Sequence, residues 1–332
     1  MTNRAGVVAE RLSSIVVAEG PLSDLADVVI RPRSVDEVRE VIRIAGERSL
    51  SVRAVGSASG RRMPTTRPDV VITTTLLDSV VAYEPDDLTL VVGAGTTLGT
   101  IEYLVGGRDQ TAVLVDGVPD RTVGGVVSAG DSGYRRLRYG PTRDRVLGVT
   151  LVTGYGEIVK GGGRLVKNVT GYDLPRLVTG SAGSLGIIIE VCLKLWPDPP
   201  AKVTVAIDDP TLAIERIHRP SAVLETETGA TVHLEGSVPA VDELLQSVDG
   251  TVESGHRWPD PLTCPFQVSV RVAPRSMVEA VAAVRAAGAS RFIAQHGVGR
   301  VDAGWRTGAQ PDVGGLRSQI ASLGGIVIVT AW

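Results

Sequence analysis

Thr122-Val123-Gly124-Gly125, Ser128, then Ser132-Gly133-Tyr134-Arg135-Arg136-Leu137-Arg138-Tyr139-Gly140 and Arg143-Asp144 open the stretch whose reading decides the fold. It runs on through Gly162-Gly163-Arg164-Leu165-Val166-Lys167-Asn168-Val169-Thr170-Gly171-Tyr172-Asp173-Leu174. It closes with Gly180-Ser181-Ala182-Gly183-Ser184-Leu185-Gly186-Ile187-Ile188-Ile189-Glu190. Glycine and other small residues let backbone N–H groups reach a bound phosphate or sugar with little or no Cβ in the way. The apolar runs Val146–Val152 and Ile187–Leu195 between these turns read as strands. No generic turn explains so many glycines interleaved with Arg, Lys, Asn and Asp.

Toward the N-terminus the same alternation continues. Residues 1–20 predict a helix closed by Gly20-Pro21, and Ala26–Ile30 a strand. Ser34-Val35-Asp36-Glu37 is a capping-box pattern, and the helix it opens carries Val38, Val41, Ile42 and Ala45 at helical spacing. A strand at Leu50–Val55 then runs into Gly56-Ser57-Ala58-Ser59-Gly60, a loop whose small residues suit a phosphate. Val70–Thr73, Val80–Glu84 and Leu88–Val92 read as short strands. Gly93, Gly95 and Gly99 resemble a dinucleotide fingerprint, but their spacing is wrong and no acidic residue closes a second strand at the required offset. They are read as a decoy, and no GxxxxGK[ST] loop exists.

Toward the C-terminus, Trp196-Pro197-Asp198-Pro199-Pro200 is a stiff break, and the domain boundary is placed there, between 21–198 and 199–332. Beyond it strands and helices alternate in the manner of an antiparallel sheet with helices on one face, an α+β unit. A base of near-neutral pKa for hydroxyl chemistry is most simply His. The four histidines, His218, His233, His256 and His296, all lie in this second part. His296, before the tight turn Gly297-Val298-Gly299 and close to Arg300, makes the best His–Arg pair for a hydroxyl and a carboxylate.

Composition bounds the alternatives. The 332 residues are 43% hydrophobic but only 4% aromatic, so cores must rest on Val, Ile, Leu and Ala. A formal net charge of −3 does not advertise nucleic acid. No apolar run is long enough to span a bilayer, and the N-terminus lacks a signal-peptide pattern. A cytoplasmic protein is expected, with any membrane association made through a partner. The two cysteines, Cys192 and Cys264, cannot supply a four-cysteine iron–sulfur cluster, and no metal site is expected.

The array from Val28 to Pro197, densest over Thr122–Glu190, resembles the FAD-binding domain of the vanillyl-alcohol oxidase/p-cresol methylhydroxylase (PCMH) family. More narrowly it is similar to the FAD-binding subunits of glycolate oxidase. The resemblance implies a two-subdomain PCMH-type FAD-binding domain followed by a smaller α+β domain. It implies that Val55, Gly56, Ser57, Ala58, Ser59 and Gly60 wrap the FAD pyrophosphate, and that Thr122, Val123, Gly124, Gly125, Ser128, Ser132 and Gly133 line the cofactor. Gly183, Gly186, Ile187 and Ile188 would approach it through the main chain, and Arg143 is a further candidate contact.

Two departures from the family pattern stand out. The pyrophosphate loop has Ser57-Ala58-Ser59 where the family has a glycine run, and Asp131 brings a negative charge near the expected cofactor. Covalently flavinylated members carry a His at or just after that loop. This chain has none before His218, so non-covalent FAD is expected. The implied partners are a sister FAD subunit and an iron–sulfur subunit, with a small 2-hydroxy acid as substrate. The family's catalytic subunits place histidines in a longer C-terminal domain, which favours an electron-relaying role here. A stand-alone FAD-dependent 2-hydroxy acid dehydrogenase and a non-catalytic assembly subunit are the alternatives.

Overall fold

The computed structural model describes residues 25–59, 66–163, 172–308 and 311–331. The expected helix at 1–20, Gly60 and the polar residues Lys167 and Asn168 lie outside them. The chain divides into two compact units, one holding most residues up to Asp198 and the other Pro199 onward. Tyr134–Gly140 packs within the second unit, an excursion that the sequence-based division does not contain.

The first unit begins with β1 (Val28–Ile30), α1 (Val35–Glu47), β2 (Val52–Val55) and β3 (Val70–Thr73). The strands form a parallel sheet of order β1-β3-β2. Ser34 caps α1 by accepting from the Glu37 N–H at 3.2 Å, while the Glu37 carboxylate reaches back to the Arg33 N–H at 2.7 Å. The apolar stripe Val38, Val41, Ile42 and Ile44 packs on Val28, Ile30, Val70 and Ile72.

Next come β4 (Val80–Glu84), β5 (Thr89–Gly93), α2 (Leu98–Gly106), β6 (Gln110–Thr111) and α3 (Val123–Ala129). β7 (Val146–Val152), β8 (Ile158–Gly162), α4 (Leu174–Val178), β9 (Ile187–Lys194) and β10 (Trp196–Pro197) complete the unit. β4, β5, β9, β7 and β8 form an antiparallel sheet in that order. β9 is buried on both faces, and a register shift at Ile189 between its pairings with Leu151 and Thr150 swaps the side to which alternate residues point. Ile187 and Ile189 join the α1 core, whereas Ile188, Val191 and Leu193 pack with Leu98, Ile101, Val123, Val126 and Val127. Gly93 ends a strand that is antiparallel to both neighbours, and a Cβ there would strike the Leu77 carbonyl. Its glycine therefore serves backbone packing and not a dinucleotide.

The second unit contains β11 (Ala201–Ile207), α5 (Pro210–Arg216), β12 (Ala222–Thr226), β13 (Gly229–Gly236), α6 (Val238–Leu245) and β14 (Thr251–Ser254). β15 (Phe266–Arg271), α7 (Met277–Ala286), β16 (Arg291–Gln295), β17 (Arg300–Trp305), α8 (Val313–Ser322) and β18 (Ile326–Ala331) follow. Its eight strands form an antiparallel sheet, β14-β11-β13-β12-β16-β17-β15-β18.

Register sorts that sheet into two chemically different faces. Val205, Val223, Val232 and Leu234 lie on one face with α5 and α6, as do Val268, Val270, Phe292, Ala294, Val301 and Ala303 with α7 and α8. The alternate residues, Thr204, Thr231, His233, Glu235, Gln295, Arg300, Asp302, Ser269 and Arg271, share the other face. The strand period of two makes one face apolar and helix-covered and gathers these polar residues on the other, together with Leu224 and Ile293.

Candidate functional site

In the first unit α3 is the organising element. Thr122 caps it by accepting from the Gly125 N–H at 3.3 Å, and left-handed Gly130 (φ 65°) ends it. The sequence reading missed this seven-residue helix because Gly124-Gly125 disfavours helix. The Thr122 cap and the Gly130 stop were the available signals. The Val123 and Gly124 N–H groups donate to the carbonyls of Thr96 and Ala94, both at 2.9 Å. Those two donors are thus spent within the protein.

The loop after β2 meets that helix directly. A Cβ at Gly56 would collide with Thr122 Oγ1, so only glycine allows this approach. Ser57, Ala58 and Ser59 are exposed, the Ser57 and Ser59 hydroxyls lie 3.0 Å apart, and Ala58 is left-handed at φ 53°. A left-handed residue in such a loop favours successive N–H groups converging on an anion. Val55 ends β2, its carbonyl accepting from the Thr74 N–H at 2.9 Å.

At the other end of α3, the Gly180 and Ala182 N–H groups donate to Val127 and Ser128 carbonyls at 2.9 and 2.8 Å. Gly180, Ala182, Gly183 and Gly186 all have positive φ. A Cβ on Gly183 would lie 3.8 Å from Ser128 Oγ. The structure thus brings three sequence-predicted segments together. The α3 residues that are not buried, Gly125, Ser128 and Ala129, share one face between the two loops.

Other expected contacts have structural duties. Ser132 Oγ accepts from the Thr142 N–H at 3.0 Å, and Gly133 leaves room for Leu114 O and the Asp116 carboxylate. Asp131 is ion-paired with Arg121 at 2.7 Å, which neutralises the charge expected to face the cofactor. Ile187 and Ile188 send their side chains into cores, and Gly186 fits against Leu151 and Val152. Arg143 is exposed and 3.8 Å from Asp144, while Arg145 is buried and donates to the Pro141 carbonyl at 2.7 Å.

In the second unit the expected His296–Arg300 pair is not built, and sheet register is the reason. His296 Nε2 bonds Glu225 at 2.8 Å, and Glu225 sits opposite Ala294, on the helix-covered face. Arg300 is on the polar face and pairs with Asp302 at 2.7 Å. Glu225 also holds Arg285 at 3.0 Å. The His296 bond outweighs burial and keeps the Glu225 carboxyl below the usual range.

A cluster that the sequence did not reveal occupies the polar face near β11 and β13. His256 Nε2 is 2.9 Å from Glu235 Oε2, and the two side chains are 8% and 0% exposed. His233 is fully buried, with Nδ1 3.2 Å from Thr204 Oγ1 and Nε2 3.1 Å from Thr231 Oγ1. Trp258 stacks on His233 at 4.3 Å between centroids and lies 4.6 Å from His256 and 5.4 Å from Tyr134. Burial pushes the Glu235 carboxyl up, but His256, Arg135 and Tyr139 together hold it down to about 2. Burial, aided by His256, pushes His233 down to about 3, so its imidazole is neutral. Burial and Glu235 push the Tyr139 hydroxyl up to about 12. Among the described residues no group of three or more His, Cys, Asp or Glu side chains could hold a metal ion.

A parallel three-stranded sheet and a five-stranded antiparallel sheet, joined at a small-residue helix, are the layout of a flavin-dinucleotide-binding unit. Residues 26–162 match the family model described as FAD binding domain, and this region is an FAD-binding domain of the PCMH type. The chain is 34% identical over 190 residues to glycolate oxidase subunit GlcD of Bacillus subtilis, covering 54% of this chain and 39% of that protein. It is 39% identical over 130 residues to glycolate oxidase subunit GlcE of Escherichia coli, covering 38% and 37%. A D-lactate dehydrogenase of Archaeoglobus fulgidus is 31% identical over 188 residues, covering 56% and 42%. The matched region thus spans about two fifths of each of these relatives. Solved alkyldihydroxyacetonephosphate synthase shares the fold, with a TM-score of 0.67 at 15% identity, over 90% of this chain and 71% of that one.

The residues present fit FAD. The exposed loop Ser57–Ser59 with its left-handed residue Ala58, brought against α3 by the close approach of Gly56 to Thr122, and the small outward face of α3 suit a flexible diphosphate. No helix among the described residues is long and apolar enough to cross a membrane.

Proposed function

We propose that the chain is the FAD-carrying subunit of a flavoprotein that oxidises a small 2-hydroxy acid, and that it holds FAD non-covalently. The observation that carries the reading is the α3 face of Gly125, Ser128 and Ala129, bounded by Gly56–Ser59 at one end and Gly180–Gly186 at the other. In this reading the Gly56–Ser59 amides hold the pyrophosphate, Gly125 and Ser128 form the floor beneath the ribityl chain, and Gly183 lets the main chain approach. Bound FAD would supply the two-electron acceptor. Non-covalent binding is supported by the absence of any histidine before His218.

The partners in this proposal are a sister flavoprotein and an iron–sulfur subunit. Its support is the likeness to two proteins named as glycolate oxidase subunits. It is supported also by the cysteine count: Cys192 and Cys264, both buried, are too few for a four-cysteine cluster. Likeness to a D-lactate dehydrogenase favours a second reading, a flavoenzyme that turns over without partners.

The test is the visible spectrum of purified protein with FAD, before and after acid precipitation and before and after anaerobic glycolate or D-lactate. A flavin band that acid releases supports non-covalent FAD. Bleaching by either acid without partners selects the self-sufficient enzyme, and bleaching only with co-purified subunits selects the complex. Failure to take up flavin overturns both.

A further inference from the structure

The eight-stranded sheet of the second unit ends on β18, which pairs with β15 on one side. Among the described residues no strand pairs with its other side. An open edge is a row of N–H and C=O groups ready to take another strand, and proteins blunt such edges with charges, bulges or shortness. The other sheet edges here follow that rule. β14 carries Glu253, ion-paired with Arg257 at 3.3 Å, and β8 carries Lys160. β2 carries Arg53, while β4 carries Glu84 and a register irregularity between Val80 and Ala82. β1 has three residues, all buried, and β6 and β10 have two each.

β18 has none of these protections along most of its length. Ile326, Val327, Ile328 and Val329 pair with Arg271, Val270, Ser269 and Val268 in unbroken register, and the one irregularity comes after them, between Val268 and Gln267. No side chain from Ser318 to Trp332 is charged. The charge opposite Ile326, Arg271, is ion-paired with Asp302 at 3.8 Å. Ile326 is 58% exposed although large and apolar. Ile326 and Ile328 lie on the face that carries Arg271 and Ser269, whereas Val327 and Val329 pack against the core beneath α7 and α8.

We propose that β18 is the interface with a second copy of this chain, its open edge pairing antiparallel with the same edge across a two-fold axis to make one sheet through both copies. Such an axis, perpendicular to the sheet, keeps the helix-covered faces of both copies on one side, so opposed residues come from the same face. The period of two then centres the axis on a residue, Val327 or Ile328. With Ile328 at the centre, Ile328 faces itself and Val327 faces Val329. With Val327 at the centre, Ile326 faces Ile328. Either way, opposed pairs within Ile326–Val329 set β-branched against β-branched side chains, which stabilises a sheet.

Neutrality selects a copy as the occupant. Near a two-fold axis each side chain meets its own counterpart, so a charge there meets a like charge. A different partner carries no such restriction, and interfaces between unlike chains match opposite charges. A strand free of charge, in a protein whose other long edges carry it, fits the first case. The proposal depends on neither FAD nor substrate.

The test is sedimentation velocity on the full-length FAD-loaded protein over a dilution series, beside Ile328→Lys, Ile328→Glu and Ile328→Thr. In both registers Ile328 lies opposite or diagonal to its counterpart, within about 8 Å. The wild type is expected to be a dimer that dissociates on dilution, and Ile328→Thr, uncharged and β-branched, to remain one. Ile328→Lys and Ile328→Glu should each raise the dimer dissociation constant at least about tenfold. An equimolar mixture of these two should restore the dimer, because Lys then meets Glu. Amide hydrogen exchange on the wild type needs no variant, and protection of Ile326–Val329 should rise with the dimer fraction.

A wild type still monomeric at about 100 μM overturns the proposal. So does equal exchange of Ile326–Val329 in monomer and dimer, whether or not the variants fold. Folded Ile328→Lys protein that dimerises as tightly as wild type, or folded variants that stay monomeric when mixed, refute it too. If Ile328→Lys instead releases a different co-purified chain, the edge has another occupant and the proposal falls.

Discussion

Replacing Gly56 by alanine tests whether the β2 loop and α3 are locked together. The new Cβ would overlap Thr122 Oγ1 and lie 3.0 Å from Thr122 Cβ and 3.1 Å from Cγ2. Thr122 is 2% exposed and bridges Thr97, so it has little room to retreat. Overpacking of this kind costs about 1–3 kcal/mol. Displacing the cap of α3 adds about 1 kcal/mol, so the expected loss is about 2–4 kcal/mol with weakened FAD uptake. Thr122→Gly removes all three offending atoms and, glycine being an acceptable N-cap, costs only a few tenths of a kcal/mol. The double variant G56A/T122G should therefore recover about 1–2 kcal/mol relative to additivity. Gly46, in α1 with nothing within 4 Å of its would-be Cβ, is the control. Gly46→Ala should gain about 0.5–1 kcal/mol. The assay is urea denaturation followed by circular dichroism, with FAD titration of each variant. Strict additivity in the double variant, or a Gly56→Ala protein as stable as wild type, would refute the reasoning.

Asp131→Asn should not tighten FAD, because Arg121 already neutralises Asp131; it should cost about 1–2 kcal/mol, between an exposed and a buried pair. Equilibrium unfolding and FAD titration check both parts. Acid stability should follow Glu235 and His233. The folded Glu235 value of about 2 lies below its ordinary 4.5, so its contribution is present above pH 4.5 and is lost as pH falls toward 2. For this buried carboxylate that amounts to about 3 kcal/mol, and Glu235→Gln should flatten the limb in unfolding curves recorded from pH 5 down. The folded His233 value of about 3 lies below its ordinary 6.5, so stability declines as pH drops from 6.5 toward 3. His233→Gln should remove that part of the slope.

Much of the fold was legible because local rules govern it. The Ser34 cap, the apolar stripe of α1 and the runs at Val52–Val55, Val70–Thr73 and Val146–Val152 lie within a few residues of their predicted limits. The strands Ala222–Thr226, Thr251–Ser254 and Arg300–Trp305 went unread. The helix Val123–Ala129 was hidden by its glycines, although its cap and stop were present. For the candidate site, the small residues around Gly56, Thr122 and Gly183 were visible, since backbone access has a compositional signature. His256 was not, because nothing in a loop histidine's neighbours tells which carboxylate it will meet.

What the sequence determined by itself is the inventory: the glycine loops, the alternating strands, the break at Trp196–Pro200 and the confinement of histidine to the second half. What only the tertiary structure decided is adjacency. It placed Gly56 on Thr122, joined Glu235 to His256, and drew Tyr134–Gly140 into the second unit. It also put His296 and Arg300 on opposite faces of one sheet, although they are near neighbours in the chain. The reason is physical: side-chain direction alternates along each strand, while the register that sets partners comes from long-range pairing, which no local run of residues encodes.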